Sequence, residues 1–408
     1  VRNWPIVAAL GLTQIIGYGT LYYSFSILAP AMARDLAWPV EWVFGALSIA
    51  LLLGGLTAPI AGRWIDAYGA GRVMAIGSAA AAAALAAFSL SPGRTVFVLV
   101  LITIEVASTL VQYSAAFALL VQRQPDAAQR NITYLTLIAG FASTIFWPIT
   151  TALHAYLSWQ QVYLIFAVLN LFVCLPIHYW LALPMRLEAG PETLATPHQA
   201  AAPAEGKLPL AARRNAFLLM AVAFAFQSFV SAAILVHMLP MLGALGLGVA
   251  GVTVGTLFGP AQVMSRFINM LFGRNLPQLA LAIISAVLFP AAIAVLVVTA
   301  PSFMGALAFA VVFGLGSGLY SIVGGTLPLS LFGSAGYGAR QGQLMAVRLI
   351  VSSAAPFAFA MLMEKVGVKL ALTATALSGC GAVLAFTAIG LMTRRHLRAE
   401  RRLVLGDS

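Results

Sequence analysis

The sequence predicts an all-α polytopic membrane protein with twelve transmembrane helices in two six-helix bundles. Composition is the first reason: 62% of the 408 residues are apolar and only 8% are charged, whereas soluble domains carry about 25% charged residues. So few charges cannot cover the surface of a soluble protein of this size, which excludes a cytosolic enzyme, a secreted domain and a disordered chain. Spacing is the second: the charges stand so far apart that the gaps between them count helices. The third is a single long polar stretch near the middle, which divides the spans six and six. The net charge of +11 does not point to nucleic acid, because no solvated face gathers the Lys and Arg residues. Cys174 and Cys380 stand far apart in apolar runs and imply neither a disulfide framework nor a metal site.

A spanning helix needs about 20 mostly apolar residues. Residues 3–33, 42–62 and 73–93 contain no Asp, Glu, Lys or Arg and predict helices over 5–32, 41–61 and 72–91. The fourth helix, 95–121, contains one charge, Glu105. The charge-free run 131–185 is long enough for two helices, 131–153 and 161–183, with a break at 158–161. The run 215–265 holds the seventh helix, 215–240, and most of the eighth, 250–272, which includes Arg266. The run 275–339 holds 277–299 and 302–328, broken at 300–302. The eleventh helix, 340–363, contains Arg348, and the twelfth covers 369–392. Helices satisfy their own backbone hydrogen bonds in lipid, and these runs lack the alternation of barrel strands.

The polar stretch 184–212, rich in Pro and Ala, reads as a flexible linker. The expected units are therefore a bundle over 1–183, a linker over 184–212, a bundle over 213–393 and a tail over 394–408. Placing the N-terminus in the cytoplasm puts 16 of the 22 Lys and Arg residues on that side and 4 on the other, with Arg266 and Arg348 inside spans. This bias predicts that both termini are cytoplasmic. The first apolar run is too long for a cleavable signal. A faint internal echo links Arg63-Trp64-Ile65-Asp66 at the end of the second helix with Arg266-Phe267-Ile268-Asn269 near the end of the eighth. Repeats of this kind mark secondary transporters.

The strongest motif joins the second and third helices: Gly62-Arg63-Trp64-Ile65-Asp66-Ala67-Tyr68-Gly69-Ala70-Gly71-Arg72. It resembles the loop motif of the major facilitator superfamily, a Gly, an Asp four later, a Gly three later and an Arg three after that. Across the whole chain the resemblance implies two bundles that rock about a central site, with Gly62, Asp66, Gly69 and Arg72 forming a gate. The corresponding loop of the second half, Gly273-Arg274-Asn275, departs from the motif. A narrower resemblance is to the oxalate/formate exchanger and monocarboxylate transporter branch. It rests on the run from Gly19 to Pro30, rich in aromatics, and on Gly342 followed six residues later by Arg348. In that branch a cation six after such a Gly faces the substrate. The branch also has an Arg in the eighth helix, usually followed by Pro. Here Arg266 precedes Phe267, and aligning the loop instead brings Gln262 to that position.

Charges inside a span cost about 2.5–3.5 kcal/mol at the helix centre on insertion scales, so each carries a functional reading beside a structural one. Arg348, roughly 12 Å into its helix at 1.5 Å per residue, reads as an anion clamp or as an arginine snorkelling to the interface. Arg266, at roughly 10 Å by the same rise, reads as a second clamp or as a gate residue equivalent to Arg63. Glu105 reads as a proton-coupling carboxylate, a counter-ion to an arginine or an inter-helix hydrogen bond. Gln14, Tyr22, Tyr23, Tyr113, Gln227, Gln262 and Tyr320 are further candidates for lining a substrate site, each equally able to join helices. Gln112 belongs with them as a supporting polar residue. His237 and Met241 at helical spacing can ligate soft copper, although Met in apolar helices ordinarily serves packing.

The expected activity is secondary transport of a small organic anion, a carboxylate above all, by proton coupling or exchange. It would be carried out by a monomer in a bacterial inner membrane, with no cofactor, no nucleic-acid partner and no enzymatic chemistry. A copper or other small-solute importer and a broad drug efflux pump are the alternatives.

Overall fold

The structure, a computed structural model, describes residues 4–91, 93–183, 206–248, 250–273 and 276–406, with backbone alone at 252 and 394–406. Eleven of its helices are long and apolar enough to span a membrane. They are α1 (Trp4–Asp35), α2 (Val40–Tyr68), α3 (Ala70–Ser89), α4 (Arg94–Arg123), α5 (Pro125–His154), α6 (Trp159–Ala182), α7 (Leu210–Ala244), α9 (Gln278–Thr299), α10 (Phe303–Phe332), α11 (Tyr337–Val366) and α12, whose spanning part is Val368–Thr393. Between α7 and α9 lies α8, in two pieces, Ala250–Thr256 and Phe258–Phe272. With it the count is twelve. The linker as far as residue 205 and the Arg274–Asn275 pair lie outside the described residues.

The predicted breaks have local causes. α6 opens on a capping box: Gln161 N donates to Ser158 Oγ at 3.3 Å, and Ser158 N donates to Gln161 Oε1 at 3.0 Å. α10 starts where Ser302 Oγ accepts from Gly305 N at 3.3 Å. The α2–α3 turn needs Gly69, whose φ of 86° disfavours any side chain.

Helix α7 begins at Leu210 rather than at the expected 215. The preceding residues are held, because Lys207 N and Leu208 N donate to Ser330 O and Leu331 O at the end of α10, both at 3.2 Å. The Leu208 side chain is buried beneath.

Besides α8, four spans are less regular than their apolar runs suggest. α5 is interrupted at Gly140–Phe141. α1 widens into a π-helical turn at Gly19–Tyr23, and α6 does so at Asn170–Cys174. The two turns are tied by Asn170 Nδ2 donating to Thr20 Oγ1 at 2.9 Å. α4 breaks at Gln112, which is extended (ψ −167°) between helical pieces Arg94–Val111 and Tyr113–Arg123. Gln14 Nε2 donates to the Val111 carbonyl beside the break, at 2.8 Å. This is the inter-helix partner a freed backbone group requires in lipid.

Two separate hydrophobic cores confirm two bundles. Among the described residues, one is built from α1–α6 with Leu329 and Tyr337 from the second half, and the buried residues of the other all lie in 208–389. The bundles meet most closely along α2 and α11, where small residues allow backbone approach. A side chain at Gly62 would strike Gly338 O and Gly342 Cα, and one at Gly55 would press on Leu349 at 3.0 Å.

Candidate substrate site between the bundles

Residues that close the molecule gather on the face carrying the α2–α3 turn, called here the basic face. Asp66 Oδ1 accepts from Gly338 N at 2.8 Å, and Oδ2 accepts from Ala339 N at 2.7 Å. Its charge thus sits on the first amides of α11, where the helix dipole favours an anion. Arg340 braces the same corner by donating to Gly333 O at 2.8 Å and to Ala335 O. Behind it Tyr337, only 2% exposed, belongs to the first bundle's core while its hydroxyl donates to Gly325 O in α10 at 2.7 Å. Gly62 and Gly69 occupy the contact and the turn already described, and Arg72 is exposed.

An open groove of about 670 Å³ runs along the half of α5 beyond Phe141, lined by residues of that helix from Ser143 and Trp147 to Ala155. Trp147 is half exposed and meets Tyr23 of α1 edge-on at 6.0 Å.

The two spanning arginines are held by consecutive residues of α10. Arg348 Nε donates to Tyr320 Oη at 2.9 Å, with the guanidinium carbon 4.7 Å from the ring centroid. Since that oxygen accepts from arginine, its own proton is free for Ser228 Oγ of α7, 2.7 Å away. Arg266 Nε donates to Ser321 Oγ at 3.0 Å, and Ser321 in turn donates to Gly318 O at 2.7 Å. Gln262, one turn before Arg266, donates to Ser317 Oγ of α10 at 2.8 Å. Close packing of α8 on Gly314 and Gly318 of α10 makes this ladder possible.

The two arginines differ in access. Arg348 is half-buried. Arg266 is 4% exposed and lies against Gly140 of α5, and its Nη1 is buried without a hydrogen-bond partner. Both charges reach the opposite wall: Tyr113 of α4 is within electrostatic range of each, Tyr18 of Arg348 and Tyr23 of Arg266. That wall is aromatic. Ring centroids lie 4.8 Å apart for Tyr18 and Tyr113, 5.3 Å for Tyr22 and Tyr23, and 5.0 Å for the stacked pair Tyr113 and Phe117.

Glu105 stands apart from the arginines. It is 4% exposed, packs by its backbone against Gly54 of α2, and accepts from Ser108 Oγ at 3.4 Å, leaving Oε1 buried without a partner. The neutral phenols Tyr22 and Tyr163 lie within its electrostatic range.

Gln227 is turned away, donating to Ser285 Oγ of α9 at 3.1 Å inside the second core. His237 donates through Nδ1 to Ala233 O at 3.2 Å and packs 5.4 Å from Phe359, while Met241 is wholly buried. Arg63 is exposed, so the echo with Arg266 does not extend to environment. Sequence reasoning missed Tyr18, Trp147, Ser228 and Ser321. Tyr18 alone left a signal, one helical turn before Tyr22.

The family model of the Major Facilitator Superfamily matches residues 10–360. The chain belongs to the major facilitator superfamily. It is a secondary transporter and not an enzyme. Its fold is shared with the human organic anion transporter MFSD10 (TETRAN), at 15% identity and a TM-score of 0.69 over 95% of this chain and 100% of that one. The transporter FucP in its outward conformation is similar at 14% identity and TM-score 0.70, covering 94% and 98%. The proton:xylose symporter XylE, bound to 6-bromo-6-deoxy-D-glucose, is similar at 10% identity and TM-score 0.69, covering 96% of each chain. No curated protein matches the chain in sequence.

Proposed function

We propose that the protein carries a small organic anion, a carboxylate, across the membrane by alternating access between its two bundles. The observation that carries this reading is Arg348: a permanently charged group within a span, held among the described residues by neutral partners, only partly buried, and within electrostatic range of Tyr18 and Tyr113. A guanidinium cannot shed its proton, and its planar fork matches a carboxylate. Leaving it unsatisfied in a membrane is costly unless a ligand completes it. MFSD10, described as an organic anion transporter, shares the fold, and the resemblance of the Gly342-to-Arg348 spacing to the oxalate/formate and monocarboxylate branch agrees.

In this reading Arg348 binds the carboxylate. Arg266, held by the next residue of α10, is a second charge that becomes available when the bundles separate at the basic face. Glu105, buried and with no hydrogen-bond partner for Oε1, is the proton-coupling site. Asp66, with Gly62, Gly69 and Arg72, holds the basic face shut, and that face is cytoplasmic by its Lys and Arg bias. The test is uptake of a labelled carboxylate by proteoliposomes. Arg348→Ala abolishes uptake while the protein remains folded and monodisperse; undiminished uptake by that variant would sink the proposal.

A further inference from the structure

We infer that the anion is a monocarboxylate conjugated to a flat ring, stacked on the tyrosines of α1 and α4 while its carboxylate meets Arg348. This rests on the carboxylate reading and specifies its substrate class.

Two features of the site point the same way. The first is the number of available charges. Of the two arginines only Arg348 is half-open; Arg266 is 4% exposed and pressed against Gly140. One presented guanidinium satisfies one carboxylate. A second carboxylate on a small diacid would stand among aromatic faces without a partner, and burying an unpaired charge is strongly unfavourable.

The second is the surface facing that guanidinium. Tyr18, Tyr23 and Tyr113 are half-buried, so each keeps part of its ring open. Arg348 reaches Tyr18 and Tyr113 electrostatically, and those rings lie 4.8 Å apart. Tyr113 is already stacked on Phe117 at an interplanar angle of 11°, which fixes its plane. Trp147 extends the wall past Tyr23. In an aryl carboxylate the carboxylate lies in the plane of the ring. A guanidinium gripping its two oxygens therefore also sets the ring's orientation, and a rigid aromatic wall rewards a flat body over a puckered one. Tyr23 closes the π-helical turn at Gly19–Tyr23, the kind of local irregularity that recurs at functional sites.

Calorimetric binding to the purified full-length protein tests this with benzoate, cyclohexanecarboxylate, acetate and succinate. Benzoate is expected to bind about tenfold more tightly than cyclohexanecarboxylate, the scale of one favourable aromatic pair. Tyr113→Leu removes that preference and Tyr113→Phe keeps it; Tyr18→Leu serves as the second variant should Tyr113→Leu fail to fold. Equal binding of benzoate and cyclohexanecarboxylate, survival of the preference in both leucine variants, or tighter binding of succinate overturns the inference. If carboxylates bind in an Arg348-dependent way without ring preference, only the inference falls. If no carboxylate binds at all, the carboxylate reading falls with it.

Discussion

Arg348 and Arg266 lie at similar depth in the same bundle and are held by adjacent residues of α10, yet their surroundings differ sharply. Arg348 is cradled by a hydroxyl chain running Ser228–Tyr320 and is only partly buried. Arg266 is wedged between bundles, against Gly140, with Nη1 unsatisfied. The difference teaches that one charge is presented while the other is sequestered in this conformation, which is closed at the basic face. A rocking motion that opened the basic face would part α5 from α8 and expose Arg266.

The largest expected effect comes from the presented charge. Removing one partner of a buried charge pair costs about 2–5 kcal/mol, so Arg348→Ala should weaken carboxylate binding by roughly 30-fold to more than 1000-fold. Arg266→Ala should divide the two arginines most clearly: binding in the present conformation changes by less than about threefold, whereas net transport falls by about tenfold or more. Equal losses of binding in both variants would erase the distinction drawn between them.

Asp66→Asn tests the closure that sequesters Arg266. It removes the charge from two amide hydrogen bonds at the start of α11, and charge-assisted bonds are about twice as strong as neutral ones. A cysteine placed at Gly140 is not suitable as a reporter, because it would displace Arg266 itself. Cysteine at Ser321 should therefore be labelled from the basic side several times faster in the Asp66→Asn background, and unchanged labelling would argue against the latch. The smallest effect is expected from Tyr320→Phe. Arg348 keeps its charge and both Nη groups and loses only the acceptor of its Nε, so carboxylate affinity should fall by only a few-fold. For Glu105 the readout is pH: acidification on the uptake side should stimulate the wild type, and Glu105→Gln should flatten that response while still exchanging substrate.

Much of the fold was legible because charge is so scarce. Helix breaks at Ser158 and Ser302 carry capping side chains that polar residues in an apolar run betray. The break in α4 left no such trace, since Val111-Gln112-Tyr113 contains neither Gly nor Pro and its freed carbonyl is satisfied by Gln14 from another helix. The π-helical turns were hidden for the same reason: their partners, Asn170 and Thr20, are far apart in sequence.

In the site, Arg348, Arg266 and Glu105 stood out by cost alone, and their positions on three different helices were readable. Which way each faced was not. Gln227 and Gln262 look alike in sequence, but one turns to α9 inside the core and the other to α10 beside Arg266. Tyr18 and Trp147 were lost among many aromatics because only packing shows which rings share a wall.

The most direct test of the central claim, that Arg348 is the charge partner of the substrate, is a binding cycle with a carboxylate and its uncharged amide. The wild type should prefer the carboxylate by roughly 30-fold or more, the scale of a paired buried charge. Arg348→Ala should bring the carboxylate down to the affinity of the amide and leave the amide unchanged. A variant that keeps the wild-type preference for the carboxylate would contradict the account.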